Sequence, residues 1–415
     1  MAGIEFTDLR VNGSRLLQRI LALADIGAID GGGVCRLALT DEDRLGRDLV
    51  VSWMTDLGMD IRIDAIGNVV GTWGGTDPSL SPVMCGSHID TVRTGGKYDG
   101  NYGVLAGLEV VETLAEAGIE TDRPIAVGFF TDEEGARFHP DMLGSLVYAG
   151  GMAIEVALDL PGIDGTRLGE ELDRIGYAGP HPCPGVVPHA FVEVHVEQGP
   201  VLEAKGISIG VVTGVQGIHW EEITITGQSN HAGTTPMAMR HDAGNAAARL
   251  AVAVRDIAIT IGGTQVGTVG AIDLQPNLVN VVAGRAVLSV DLRNTDSAEL
   301  KRAIDALGAA CGEIADTEGV AIERRTTADF DPVDFDPEVI ALIEQTADRL
   351  GCSVQQMASG AGHDAQMLAR VCPAAMIFVP SVKGLSHNVN EYTRPADLEA
   401  GANVLLHTLL KLQAV

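Results

Sequence analysis

Apolar residues in the first third of the chain fall in short runs that alternate with stretches at helical spacing. Thr40 followed by Asp43 reads as a capping box, with Leu45, Leu49, Trp53 and Met54 spaced as one helix face behind it. Strands are predicted over Ile61–Val70, Val83–Gly86, Ile125–Phe130 and Phe191–Val196, and a helix over Tyr102–Ala117. Short apolar strands between helices predict an α/β fold with a mostly parallel sheet covered by helices. The texture changes from about Gly214 to Thr327. Strands over Trp220–Thr226 and Val281–Leu292 there frame two helices, Ala243–Ile257 and Ala298–Ile314, which predicts an α+β unit of ferredoxin-like character. The stretch ADFDPVDFDPEV, 328–339, reads as a linker, after which helix and strand signals resume. The expected organisation is a discontinuous first domain, 1–213 and 328–415, with a second domain, 214–327, inserted into it.

Length and charge narrow the picture. A chain of 415 residues, 46% of them hydrophobic, exceeds the size at which one core usually stops growing, so two domains are expected. The formal charge of −28, from 28 basic and 56 acidic residues, argues against nucleic acid or an anionic membrane as partner. Six cysteines without CxxC spacing fit reduced thiols better than a disulfide framework. Without a signal-like N-terminus or a long charge-free stretch, a cytoplasmic protein is expected.

Three predicted strands end in polar clusters: Gly86-Ser87-His88-Ile89-Asp90, Thr131-Asp132-Glu133-Glu134-Gly135 and His195-Val196-Glu197-Gln198-Gly199. One polar strand end is ordinarily a solvated loop. Three in succession bearing His, Asp and Glu suggest one crevice outside the carboxyl ends of a sheet. Asp99, between Tyr98 and Gly100, opens the next helix; a carboxylate in a glycine-flanked turn can present both oxygens to two cations, and can equally serve as an N-cap. His387 follows a further predicted strand, Met376–Val379, and His363 in SGAGHDAQ competes with it as a ligand. His139, His181, His189, His241 and His407 lie in loop or helix contexts that suit surface or core roles. Imidazole and carboxylate together favour zinc, manganese or cobalt over calcium. Asp90 would accept from the other ring nitrogen of His88. The adjacent glutamates Glu133 and Glu134 then make sense together: metal hydrolysis needs one carboxylate as ligand and another to carry a proton, and spacing does not say which is which. Arg293, after the run Ala286–Leu292, offers a carboxylate fork or an ordinary ion pair. SGAGHDA also matches GxGxxA, but no compact strand is evident before it and no acidic ribose partner after it, so a dinucleotide site is not expected.

The motifs GSHIDTV, KYDGNYGV, TDEEGARF, HVEQGPVLE, SNHAGTTPM, DLRN, SGAGHDAQ and GLSHN, kept in this order over nearly the whole chain, resemble the hydantoinase/carbamoylase branch of the dimetal aminoacylase and carboxypeptidase superfamily. The resemblance implies an exopeptidase-like catalytic domain with a mixed sheet flanked by helices, and an inserted domain acting as dimerisation lid. It implies two divalent metal ions, one held by His88, Asp99 and His195, the other by Asp99, Glu134 and His387. Glu133 becomes the general acid/base, His231 polarises the scissile carbonyl from the partner subunit, and Gln216, Asn280 and Arg293 clamp a substrate carboxylate. The segment with Gly360 and Gly362 lines the pocket. The implied activity is hydrolysis of the ureido group of an N-carbamoyl-L-amino acid or N-carbamoyl-β-alanine, with allantoate as rival substrate. A catalytically dead binding homologue is the rival from another class, disfavoured because every ligand position and Glu133 are present.

Overall fold

The computed structural model describes residues 8–414, which fall into two compact units: the stretches up to Thr213 and from Phe335 onward form one, Gly214–Asp334 the other. In the first unit the chain lays down β1 (Asp60–Ile63), β2 (Val69–Trp73), β3 (Val83–His88), β4 (Ile125–Phe130), β5 (Ala190–Val196) and β6 (Ile209–Val215). Asp60–Val70 is not one strand. The Asp64 carboxylate accepts from the N–H groups of Ile66 (3.1 Å) and Asn68 (2.9 Å), Gly67 turns at φ +83°, and β1 and β2 pair as an antiparallel hairpin. The helix Asp41–Asp56 is capped by Thr40 as expected, but it buries a different face. Leu45 is exposed, while Asp43 and Arg47, fully buried and 2.8 Å apart, point inward with Val50 and Met54. A satisfied ion pair thus occupies positions that a purely apolar pattern misses.

The second unit contains β7 (Gly217–Thr226), β8 (Asn230–His231), β9 (Val266–Thr268), β10 (Ile272–Gln275), β11 (Val281–Val282), β12 (Arg285–Asn294), β13 (Ala321–Phe330) and β14 (Val333–Asp334). The single strand expected over Val281–Leu292 is broken at 283–284, where Gly284 pairs with Gly227 instead. Helices Ala243–Ile261 and Ser297–Glu318, capped by Asp242 and Asp296, pack Leu250, Val254 and Leu307 against Ile223, Ile225 and Leu288. The antiparallel order β10-β12-β7-β13 with two crossover helices is the ferredoxin-like arrangement. The stretch read as a linker carries the end of β13 and all of β14, and this unit runs on to Asp334 rather than ending at Thr327.

Beyond it come β15 (Val354–Ser359) and β16 (Ala374–Val379). The first unit's sheet is mixed, in the order β1-β2-β4-β3-β5-β16-β6, with β15 also paired to β6. The four neighbours β4, β3, β5 and β16 are mutually parallel and wholly buried. The long helix Asn101–Glu116 is buried along most of its length, as a two-sided cover requires. β15 corrects one expectation: a strand does precede SGAGHDA, unrecognised because VQQMAS is largely polar. The helix after it, Asp364–Leu368, has only five residues. Among the described residues no helix is long and apolar enough to cross a membrane, and all six cysteines are free thiols.

Candidate dimetal centre

Because β4, β3, β5 and β16 run in parallel side by side, their carboxyl ends open at one edge of the sheet. His88 is the last residue of β3 and His195 the next to last of β5; Glu133 and Glu134 follow β4, and His387 follows β16. Asp99 sits just before the helix Asn101–Glu116, whose first turn starts at Gly100 with φ +64°. A Cβ at Gly100 would run into the His88 ring, so both backbone conformation and space demand glycine there.

The side chains converge. Ligand atoms of His88, Asp99 and His195 lie within 4.8 Å of one another, and so do those of Asp99, Glu134 and His387, so Asp99 belongs to both groups. Its Oδ1 is 3.2 Å from His195 Nε2 and 3.7 Å from His88 Nε2, while Oδ2 is 3.7 Å from His387 Nε2. The His387 ring is 3.1 Å from Glu134 Oε2. Each buried histidine is oriented through its other nitrogen by a main-chain carbonyl: His195 Nδ1 lies 2.8 Å from Val196 O, and His88 Nδ1 lies 3.0 Å from Asp90 O. That leaves each Nε2 facing the cluster. Asp90 is therefore an acceptor for His88 through its backbone, whereas its carboxylate accepts from the N–H groups of Glu133 and Glu134, both at 3.2 Å. His363 forms an edge contact with His195 and a hydrogen bond of 3.0 Å to Ser359; it also falls in a third group with Glu193 and His195.

The electrostatics are those of a cation site. Asp90, Asp99, Asp132, Glu133, Glu193, Asp364 and Glu391 are buried here, and among the described residues none makes an ion pair with lysine or arginine. Burial pushes the carboxyls of Asp132, Glu133 and Asp364 well above the usual range. Burial opposes the charge of Asp99 too, but His195 and His88 outweigh it and hold Asp99 well below that range. Burial lowers the His88 pKa, and Glu133 and Asp99 more than reverse this; the hydrogen bond to Glu134 lifts His387 to about 9. So many buried carboxyls around imidazoles require protons or metal ions as compensation. The donor set, nitrogen and carboxylate oxygen in two triads sharing one aspartate, fits a pair of divalent ions.

Three supports of Asp99 escaped the sequence reading. Gln198 Nε2 (2.9 Å) and Ser386 Oγ (2.8 Å) donate to Asp99 Oδ2, and Glu391 Oε1 accepts from the N–H groups of Tyr98 (3.0 Å) and Asp99 (3.1 Å). Gln198 and Ser386 lie inside motifs already quoted; Glu391, 292 positions from Asp99, leaves no spacing signal.

The remaining expected residues lie elsewhere. In the first unit, Gly362 packs against Met142, and Gly360 is exposed. In the second unit, His231 and Asn280 are exposed neighbours on β8 and at the start of β11, with Ala232 N–H donating to Asn280 O. The strands β8 and β11 form a two-stranded sheet of their own, reached from the end of β7, whereas Gln216 and Arg293 lie at the opposite end of β7, where β7 begins and β12 ends. Arg293 pairs with Asp291 at 2.8 Å and stacks near Trp220.

The model of peptidase family M20/M25/M40 matches residues 84–411, a span that takes in every residue of both triads. The chain belongs to this family. It is 43% identical over 402 residues to the N-carbamoyl-L-amino-acid amidohydrolase of Rhizobium meliloti, covering 97% of each chain. It is 35% identical over 392 residues to the allantoate amidohydrolase of Escherichia coli K12, covering 94% of this chain and 95% of that one. Among solved structures it superposes on a hydantoinase/carbamoylase family amidase from Burkholderia multivorans with TM-score 0.96 and 45% identity, covering 98% and 99% of the two chains. The chain is an amidohydrolase of the hydantoinase/carbamoylase type, acting on carbon–nitrogen bonds.

Proposed function

We propose that the chain hydrolyses the ureido group of an N-carbamoyl-L-amino acid, or of N-carbamoyl-β-alanine, to the free amino acid, carbon dioxide and ammonia. The observation that carries this reading is the pair of ligand triads sharing Asp99, with Glu133 beside them and outside both. Two divalent ions held there, zinc or else manganese or cobalt, would polarise the ureido carbonyl and acidify water. Glu133 is the proton carrier. It is 7% exposed, and its Oε2 is 3.3 Å from His88 Nε2. Burial and the neighbouring carboxylates raise its pKa, as suits a group that takes a proton from water and returns it to the leaving nitrogen near neutral pH. Glu134, one residue on, turns toward His387, so the adjacent glutamates divide the two tasks.

The inserted unit supplies recognition in this reading. Along β7, ten residues separate the end bearing Gln216 and Arg293 from the end leading to His231 and Asn280, roughly 30 Å at strand rise. One small substrate does not span that distance. This supports a homodimer in which His231 and Asn280 of one copy complete the site of the other: His231 polarises the scissile carbonyl, Asn280 joins Gln216 and Arg293 of the second copy in holding the substrate carboxylate, and Gly360 and Gly362 line its pocket. Free thiols throughout suit the cytoplasm. Allantoate is the second reading, favoured by the 35% identity to the Escherichia coli enzyme, since allantoate also joins ureido and carboxylate groups.

The test is product release, followed by mass spectrometry, from chelator-stripped and metal-reconstituted protein offered N-carbamoyl-L-amino acids, N-carbamoyl-β-alanine and allantoate. Metal-dependent release from a carbamoyl amino acid supports the first reading, and release from allantoate alone replaces it with the second. Turnover by fully stripped protein would overturn the dimetal mechanism.

A further inference from the structure

Asp99 is the hinge of the whole centre, yet its turn contains little that would hold it in place. Gly95, Gly96 and Gly100 surround it, and no side chain caps the helix that follows. The restraint comes from the far end of the chain. Glu391, 5% exposed, places Oε1 against two consecutive main-chain donors, Tyr98 N–H at 3.0 Å and Asp99 N–H at 3.1 Å. The turn is moulded around this carboxyl: a Cβ added at Gly96 would overlap it, although Gly96 has no positive φ that would call for glycine. Tyr98 and Tyr392 meet edge to face beside it. Glu391 N–H in turn donates to Asn388 O at 2.9 Å, so the same short loop carries the ligand His387 and the clamp on Asp99.

We propose that Glu391 is a positioning residue that sets the place of the Asp99 carboxylate, so that both ligand triads can share it, by accepting two backbone N–H groups of its turn. Glu391 is not in either triad and acts through Asp99. The inference rests on the reading of Asp99 as a ligand common to two metal ions. Charge is not what the geometry asks of residue 391; an acceptor oxygen of the right reach is.

The experiment measures metal binding in the full-length protein, apart from turnover. Wild type, Glu391→Gln, Glu391→Leu and Asp99→Asn are stripped, titrated with Mn²⁺ and followed by electron paramagnetic resonance, with bound metal counted by mass spectrometry and folding checked by circular dichroism. Glu391→Gln keeps an acceptor oxygen and is expected to bind two ions with the exchange-coupled spectrum of wild type. Glu391→Leu, similar in size but without an acceptor, is expected to bind at least one ion about 10–100-fold more weakly and to lose the coupled spectrum, as when supports of metal ligands are removed elsewhere. Unchanged affinity and coupling in Glu391→Leu would overturn the proposal, and so would a Gln variant as impaired as Leu. If Glu391→Leu does not fold, Gly96→Ala pushes on the same carboxyl from the turn and is expected to weaken binding likewise; unchanged binding there overturns it. Asp99→Asn separates the two levels: retention of a coupled ion pair in that variant sinks the shared-ligand reading itself, whereas its loss beside an intact Glu391→Leu sinks only the role of Glu391.

Discussion

The two units hold their candidate functional residues in opposite ways. In the first, His88, Glu133, Glu134, His195 and His387 come from the ends of four adjacent parallel strands and Asp99 from the turn before the next helix, and they gather, mostly buried, in and beside two triads that share Asp99. In the second, Gln216 and Arg293 sit at one end of the antiparallel strand pair β7 and β12, while His231 and Asn280 lie on the two-stranded ribbon reached from its other end; all four are partly or fully exposed, and the two pairs do not meet. A parallel sheet gathers its strand ends at one edge, so chemistry that needs several groups at one point is assembled there before any ligand arrives. An antiparallel sheet alternates its ends and delivers residues to both edges, which suits contacts made separately and completed only when another body is present.

The strongest way to break this contrast is at Glu133. Glu133→Gln should lower kcat by about 10²–10⁴-fold while leaving metal content by mass spectrometry and thermal unfolding near wild type, because Glu133 belongs to neither ligand triad. Loss of metal together with activity would make it a ligand and erase the division of labour with Glu134.

His231→Ala follows in size. If its ring stabilises the developing negative charge on the ureido oxygen, kcat should fall by about 10²–10³-fold with both metals retained, since it lies in the other unit from the ligands. Mixing subunits of His231→Ala with those of Glu133→Gln should restore part of the activity, because each heterodimer then holds one site with both residues intact. A mixture as inactive as its components would show that His231 does not act across subunits.

How far the sequence revealed each region reflects the same difference. In the first unit, short and largely apolar strands end abruptly in His, Asp and Glu, so β3, β4, β5 and the residues on their ends were legible from local pattern alone. What was not legible there is what acts at a distance: Glu391 reaching Asp99 across the chain, the Asp43–Arg47 pair inside an otherwise amphipathic helix, and the Asp64 turn that splits an apolar run in two. In the second unit the elements were legible, but an exposed His231 or a half-buried, ion-paired Arg293 looks locally like any surface residue, and the role expected of each came only through resemblance. His219, buried between Asp329 and Glu221 at 2.9 and 2.8 Å, was missed because its partners lie on another strand and two residues along its own.

A smaller effect is expected at Arg293. Its guanidinium stacks near Trp220 and pairs with Asp291, a planar group already oriented for a carboxylate. Arg293→Lys keeps the charge but loses the fork. KM should rise by about 10–100-fold, the equivalent of one charge-assisted hydrogen bond of about 1.5–3 kcal/mol, with kcat and metal content little changed. An unaltered KM would return Arg293 to the status of a surface ion pair.

The smallest effect concerns how the two units store acidic charge. Around the two triads burial raises several carboxyls, but in the second unit Glu221, 3% exposed, is held below its usual range: burial would raise it, and the Arg324 fork and His219 outweigh that. A carboxyl with a depressed folded pKa binds its proton more weakly in the native state. Its contribution to stability is therefore fully present above the unfolded pKa of about 4.3 and is lost as pH falls through the lower folded value. Glu221→Gln should accordingly melt at a lower temperature than wild type at pH 7, and the two curves should converge as the buffer is taken below about pH 4, with turnover at neutral pH unaffected once both are folded. A gap in melting temperature that persists undiminished into acid would mean that the glutamate contributes through shape and not through charge, and the electrostatic contrast between the units would fall with it.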